Sequence, residues 1–383
     1  MLNFIESLSK QNKLHIFSVE DKKAIQVQNE NTNYYKYKLK DKWHKKITKH
    51  SFFWLLNRSL FDVVNKHLLQ KKIDLIICHD LPTLRPAIDL KNKLGCPLLY
   101  DSLEIYTETI NQFFPGVYGV KKKIAAFLIF FMRTSGAIAE GKMMRKCDSI
   151  TTVNTSLAEY FKRKYNQKKI DVIMNCPASI KIRESEVNFR LKYQLEKSDS
   201  VFLYQGVLNE GRGLDLLVES FNRASKTHAN IKLVILGDGV LKNHLVQNVN
   251  MLGLNKTVFF HEPVPYKDLL QYTVAADFGV NLLEAFNLSK KYASPNKIFE
   301  YMQAEIPVLC SFSPENDIIF ENYNIGVQCH NKVLDISEKI IQLHNLKNEE
   351  IINFKKQLKK AQKVYCWENQ ELKLFKLIGE QTS

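Results

Sequence analysis

Short β-branched apolar runs alternate along the chain with longer stretches whose apolar residues recur near helical spacing. The runs that read as strands are Leu14–Val19, Ile73–Cys78, Pro97–Tyr100, Ser149–Val153 and Asp171–Met174, then Val201–Gln205, Lys232–Leu236, Val258–Phe260, Phe278–Leu282, Val308–Cys310 and Gly326–Gln328. Between them, Asp215–Ala224, Val240–Asn250 and Tyr266–Ala275 read as helices. Strands that alternate with helices predict parallel sheets covered on both faces, an α/β architecture. Ala178–Ser200 is polar, charged and without a strand, so a linker over 181–199 separates one domain over 1–180 from a second over 200–362, with a last helix over 363–383. Met1–Ser9 reads as an amphipathic helix leading into Leu14–Val19. A doubly wound domain normally opens on a strand and a ligand-approaching turn, so the first domain's opening strand is expected to be missing.

Charge divides the two halves. Residues 1–180 carry 30 basic and 16 acidic side chains, a net +14 of the chain's +15, whereas 181–383 is nearly neutral. This asymmetry predicts different partners for the two domains. The seven cysteines show no C-x-x-C spacing, and Cys78 and Cys310 sit in apolar runs, so neither a disulfide framework nor a zinc knuckle is expected and the compartment reads as a reducing cytosol. Met1–Lys10 has no basic n-region or long apolar stretch, which predicts no signal peptide. The longest apolar run, Ile124–Met132, is about half of what a membrane span requires.

The richest chemistry lies in Tyr292–Ser311, YASPNKIFEYMQAEIPVLCS. Ser294 suits an N-cap and Pro295 the first helical position, predicting a helix from there to about Ala304. Its unpaired N–H groups would favour a phosphate, with Lys297 in the first turn as counter-charge and Glu300 placed to accept ribose hydroxyls. A capped surface helix with a solvated Lys and Glu is the other reading. Gln205–Gly213, QGVLNEGRG, is a second candidate anion site, where glycines and Arg212 lie between a strand and a helix. Gly237-Asp238-Gly239 ends the next strand but is not G-x-G-x-x-G, so a nicotinamide dinucleotide fingerprint is absent. His79 follows Cys78 at a strand end and reads as either structural or catalytic.

Together these residues resemble the nucleotide-sugar-binding half of family 4 glycosyltransferases of the GT-B fold. The resemblance runs from Val201 to about Ile378, on Gly206, Arg212 and Gly213 as G-x(5)-[RK]-G, on the Leu-Gly-Asp-Gly turn, on S-P-N-K-x-F-E-Y over Ser294–Tyr301, and on Trp367-Glu368-Asn369. The first half resembles the family more faintly, at Cys78-His79-Asp80, Asp101-Ser102-Leu103-Glu104 and Asn175-Cys176-Pro177. What this implies is two doubly wound Rossmann-like domains facing a cleft, an acceptor-side first domain, and a C-terminal helix crossing back to it. It implies a hexosyltransferase that retains anomeric configuration. Arg212 and Lys297 would neutralise the donor diphosphate, with His79 as a third catalytic candidate. Gly206, Gly213, Gly237, Gly239, Ser294, Asn296 and Glu300 would cradle the nucleotide, with the base near Gly237–Gly239 and His261–Val264. No metal or other cofactor is expected, since two fixed cations take the metal's place. Two positions depart from the family: Tyr292 stands where its first E-x(7)-E glutamate falls, and Leu103 where it has a sugar-contacting histidine.

Lys42–Arg58 and Lys121–Arg133 set basic residues beside aromatic and aliphatic ones, as an interfacial membrane segment requires. A buried helix with a solvated lysine rim is the alternative. Nucleic acid is disfavoured, because most basic residues of 1–180 are Lys and no recognition module is present. The expected partners are therefore a nucleotide-sugar donor, a glycan or lipid-linked glycan acceptor and an anionic membrane surface. This predicts a cytoplasmic protein peripherally bound to the inner face of the membrane, acting in surface polysaccharide assembly. The competing expectation is a catalytically degenerate GT-B protein that binds or regulates another glycosyltransferase.

Overall fold

The computed structural model describes residues 2–19, 29–37, 58–68, 70–113, 120–167, 169–179, 187–294 and 296–382. The chain divides into two units, Met1–Asn175 with Gln370–Ser383, and Cys176–Asn369.

In the first unit β1 (Leu14–Val19) pairs in parallel with β2 (Thr32–Tyr37), apart from a four-stranded parallel sheet of β3 (Ile76–His79), β4 (Leu98–Ser102), β5 (Ser149–Thr152) and β6 (Asp171–Val172), in the order β3-β4-β5-β6. β2 is not among the strands expected from the apolar pattern. Its sequence TNYYKY is half polar, and it is held by the Tyr35 ring stacked 4.7 Å from Phe17. The expected strand Asp171–Met174 shortens to Asp171–Val172, and Ile73–Cys78 shifts to Ile76–His79. Helix Leu2–Ser9 buries Phe4 and Leu8, with the Phe4 ring edge-on to His79. Asn154 caps helix Thr155–Tyr165 by accepting the Leu157 N–H at 2.7 Å, the role its short amide favours. The final helix, Trp367–Thr382, starts in the second unit, where the Trp367 N–H donates to the Pro177 carbonyl. From Gln370 onward it belongs to the first, where Gln370 Oε1 accepts the Met174 N–H at 3.0 Å and Glu371 pairs with Lys10.

The second unit is one six-stranded parallel sheet built from β7 (Ser200–Gln205), β8 (Ile231–Leu236), β9 (Val258–His261), β10 (Phe278–Asn281), β11 (Val308–Ser311) and β12 (Gly326–Cys329), in the order β12-β11-β10-β7-β8-β9. β7 is buried from Val201 to Gln205, which explains a continuous apolar run instead of alternation. Leu214, Leu217, Val218 and Phe221 recur at helical spacing on Leu214–Ser225 and bury one face of it against the sheet and against Ile336 and Ile340 of Val333–His344. Each such side chain contributes roughly 1.5–3 kcal/mol. The stretch expected as one helix over Tyr266–Ala275 is a 3₁₀ turn, Tyr266–Asp268, followed by helix Leu269–Val274. Within Ala178–Ser200, a short helix, Phe189–Lys192, forms around buried Phe189. The chain steps outward from β7 to β9 and then returns to β10 on the other side of β7, so the strand order reverses between the parallel neighbours β7 and β10. Ligands of open parallel sheets bind at the carboxyl ends of strands beside such a reversal.

Candidate functional site

Two glycines fix the backbone at the carboxyl ends of β7 and β8. Gly206 has φ +122° and Gly237 has φ +147°, and a Cβ on Gly237 would lie 2.0 Å from the Gly206 carbonyl oxygen. A Cβ on Gly206 would press on the Lys297 side chain at 3.0 Å. The two turns therefore approach each other backbone to backbone, and only glycine permits it.

Over these turns lies helix Asn296–Gln303. Its Lys297 is 9% exposed, and Nζ sits 3.7 Å from the centre of the Tyr204 ring with no hydrogen-bond partner among the described residues. Burial, and then the Arg212 guanidinium, hold the Lys297 pKa well below the ordinary ammonium range, with Glu300 acting the other way. Glu300 Oε2 accepts from Gln205 Nε2 at 2.6 Å, and Gln205 Oε1 accepts from Thr273 Oγ1 at 2.9 Å. Burial pushes the Glu300 carboxyl up, while Gln205 and then Lys297 pull it down.

Gly206, Arg212, Gly237, Ser294, Asn296, Lys297 and Glu300 line one pocket of about 660 Å³, a volume suited to a small-molecule ligand. Pro263, Val264, Tyr266 and Leu269 form an apolar wall, and Asp238 and Lys290 also face it. Pro295 lies outside the described residues. Gly213 and Gly239 stand beside the pocket without lining it. The Gly213 N–H donates to Glu284 Oε2 at 3.3 Å, and the Gly206 and Leu208 N–H groups donate to the Leu236 and Asp238 carbonyls. With these amides engaged, the cations that line the pocket are Arg212, Lys290 and Lys297. His261 is turned away from the pocket: Lys192 Nζ donates to its Nε2 at 2.9 Å and its Nδ1 meets the Glu262 carbonyl at 2.8 Å.

His79 lies in the first unit, at the end of β3. Its Nδ1 donates to Asp101 Oδ2 at 2.8 Å, and Asp101 Oδ1 accepts from Thr151 Oγ1 at 2.8 Å; in a neutral ring this tautomer makes Nε2 the acceptor. Asp80 follows with φ 59° and ψ 161°, a strained region for any side chain, and its Oδ1 accepts the Leu103 N–H at 3.0 Å. Burial raises the Asp80 carboxyl to about 7; the Leu103 N–H opposes this, and Glu104 and Asp101 add to it. Glu108 is buried and paired with Arg133. Of the basic, apolar stretches, Lys42–Arg58 lies outside the described residues up to position 57, as do the side chains of Lys121–Lys123. Phe127, Phe130 and Phe131 on helix Val120–Met144 are 68%, 67% and 50% exposed. Among the described residues no helix is long and apolar enough to cross a membrane, and no His/Cys/Asp/Glu group is placed to hold a metal.

The sequence pattern did not single out Tyr204 or Thr273, and it assigned Asp101 no role beside His79. Tyr204 sits inside an apolar strand run, where an aromatic reads as core. Asp101 meets His79 only through the register of β3 on β4.

Residues 186–363 match the family model described as glycosyl transferases group 1. An uncharacterized glycosyltransferase of Methanocaldococcus jannaschii is 32% identical over 135 residues, 34% of this chain. The chain covers only 30% of that relative's length. HepE of Anabaena, solved in complex with UDP and glucose, superposes with a TM-score of 0.66 at 12% identity, over 91% of this chain and 86% of its own. WaaG, a glycosyltransferase involved in lipopolysaccharide biosynthesis, superposes with a TM-score of 0.64 at 12% identity, over 98% of this chain and 94% of its own. At such identities the likeness is one of fold: the chain has the GT-B fold, two Rossmann-like α/β units with the C-terminal helix returning to the first.

Proposed function

We propose that this chain is a glycosyltransferase of family 4, moving a hexosyl group from a nucleotide diphosphate sugar to a glycan acceptor with retention of configuration. The observation that carries this reading is the buried Lys297 Nζ, unpartnered among the described residues in a pocket it shares with Arg212. A diphosphate supplies the missing negative charge, and the same two cations stabilise it as it departs. No metal enters this scheme, because the fixed cations meet the charge that develops on the leaving group. Glu300, held by Gln205, accepts from the ribose, and the base lies along Pro263, Val264 and Tyr266. His79, oriented by Asp101, offers Nε2 to the acceptor side. The match to glycosyl transferases group 1 over the half that holds the pocket supports this reading.

The acceptor in this reading is a lipid-linked glycan of surface polysaccharide assembly, met by a peripheral protein on the anionic cytoplasmic face of a membrane. The exposed Phe127, Phe130 and Phe131 and the net +14 of residues 1–180 support it. Tyr292 and Leu103 favour the second reading, a degenerate GT-B protein that binds without transfer. Single-turnover release of nucleoside diphosphate with a lipid-acceptor pool separates the two.

Calorimetric titration with nucleoside diphosphates tests the donor site. Lys297→Ala and Arg212→Ala should each weaken binding by about tenfold or more, the loss of one charge-assisted contact. Unchanged affinity in both variants removes the donor site from this pocket. Flotation with anionic liposomes at low salt tests the membrane face, and failure to float removes it.

A further inference from the structure

The Lys297 environment leaves one charge undercompensated. The Tyr204 ring faces Nζ, Arg212 from the glycine turn and Glu300 from its own helix act on it electrostatically, and Gln205, Asp238, Tyr266 and Lys290 also line the pocket. Glu300, the carboxylate of its own helix, is already hydrogen-bonded to Gln205. An aromatic face offers a cation about 0.5–2 kcal/mol, much less than the hydration a buried ammonium gives up. Tyr204 is itself fully buried and tied at its hydroxyl to the Val207 carbonyl at 2.9 Å, so its ring is a fixed platform.

We propose that the pocket takes up one proton together with its anionic ligand, received at Lys297 Nζ, and that Tyr204 is the positioning residue that keeps Nζ on its ring face to receive it. This rests on the diphosphate reading given above. The balance is simple: an N–H bond forms on the Lys297 amine, the amine becomes an ammonium, and the buffer loses the proton. Burial and Arg212, which hold the Lys297 pKa low, are outweighed once the charges of a diphosphate stand beside it. A neutral ligand recruits no proton, so the uptake also selects for charge.

The test is calorimetric titration of the full chain with uridine diphosphate in buffers of different ionisation enthalpy. It is run above about pH 8, where a phosphate whose second pKa is about 6 is already ionised. The expected result is an observed enthalpy that rises with buffer ionisation enthalpy, with a slope approaching one proton per ligand. Binding with zero slope across the alkaline range overturns the proposal while leaving the donor site intact; no binding at any pH overturns the donor site itself. Lys297→Arg, charged throughout the range, is expected to bind without uptake, and uptake that persists in it overturns the assignment to Lys297. Tyr204→Phe keeps the ring and should match the wild-type pH profile, whereas Tyr204→Leu should lower affinity by roughly 2- to 30-fold with the far-ultraviolet spectrum retained. Equal affinities in the Phe and Leu variants overturn the role of Tyr204. The wild-type buffer series stands whether or not the Leu variant folds.

Discussion

The Gln205 carboxamide donates to the Glu300 carboxylate across 2.6 Å, linking the end of β7 to the helix above it, while its own oxygen accepts from Thr273. This orients Glu300 toward the pocket with one oxygen engaged. In the donor reading the other faces a ribose.

Glu300→Gln should therefore weaken nucleoside diphosphate binding by about tenfold, the loss of a charged acceptor, while inorganic pyrophosphate, which has no ribose, should bind as before. Gln205→Leu should disturb the same ligand and also destabilise the fold by about 1–3 kcal/mol, since it strips buried groups of their partner. Paired titrations with the two ligands and a urea melt read both effects. Equal losses for pyrophosphate and nucleoside diphosphate would remove Glu300 from the ribose.

Gly237→Ala addresses the approach of the two turns. The added Cβ would overlap the Gly206 carbonyl oxygen, and φ +147° disfavours any side chain, so the backbones must separate. We expect a loss of about 1–3 kcal/mol from overpacking alone, with diphosphate affinity lost alongside it, because Lys297 lies close enough over Gly206 that an added Cβ there would come within 3.0 Å of its side chain. A thermal melt with and without ligand measures it. Gly253→Ala is the control: its φ is also positive, but its Cβ would meet nothing within 4 Å.

Much of the second unit was legible because buried parallel strands are continuous apolar runs. Val201–Gln205 stands nearly as expected, and the expected helix starts within the S-P-N-K segment, at Asn296, and ends at Gln303, two residues before Glu305 turns left-handed. Thr32–Tyr37 was not legible, because a strand held by its ladder with β1 and by Tyr35 stacked on Phe17 and His15 leaves no apolar period. The seat of Lys297 was hidden for a related reason: Tyr204 lies in a strand whose every neighbour is core, and its second role depends on a helix far along the chain. The His79–Asp101 pair depends on strand register, which a single sequence does not display.

Asp80 makes the fold pH-sensitive. Its carboxyl is raised from 3.8 to about 7 in the folded chain, by burial above all. The folded state therefore holds a proton that the unfolded state has released over this interval. The stability Asp80 contributes is fully present below about pH 4, declines as pH rises, and is lost above about pH 7. Asp80→Asn keeps an oxygen for the Leu103 N–H and removes the titration. We expect urea midpoints that fall less between pH 4 and 7 than those of the wild type, and a more stable protein at pH 8. Parallel pH dependence in the two proteins would place the titration on another group.

Asp101 and His79 give the last expectation, which concerns turnover. The carboxylate accepts the Nδ1–H, fixing the tautomer that leaves Nε2 as an acceptor, and Thr151 holds the other oxygen. Asp101→Asn can present its amide N–H to Nδ1 instead, which moves the ring proton to Nε2 and turns the acceptor into a donor. If Nε2 receives the acceptor hydroxyl's proton, kcat should fall by about 10²–10⁴-fold. The dissociation constant for the nucleoside diphosphate should stay unchanged, because no group of that pocket lies on β3 or β4. His79→Gln should lower kcat by a comparable factor, again with the nucleoside diphosphate affinity unchanged. A kcat that survives both substitutions would make the pair a strand-end clasp with no part in the reaction.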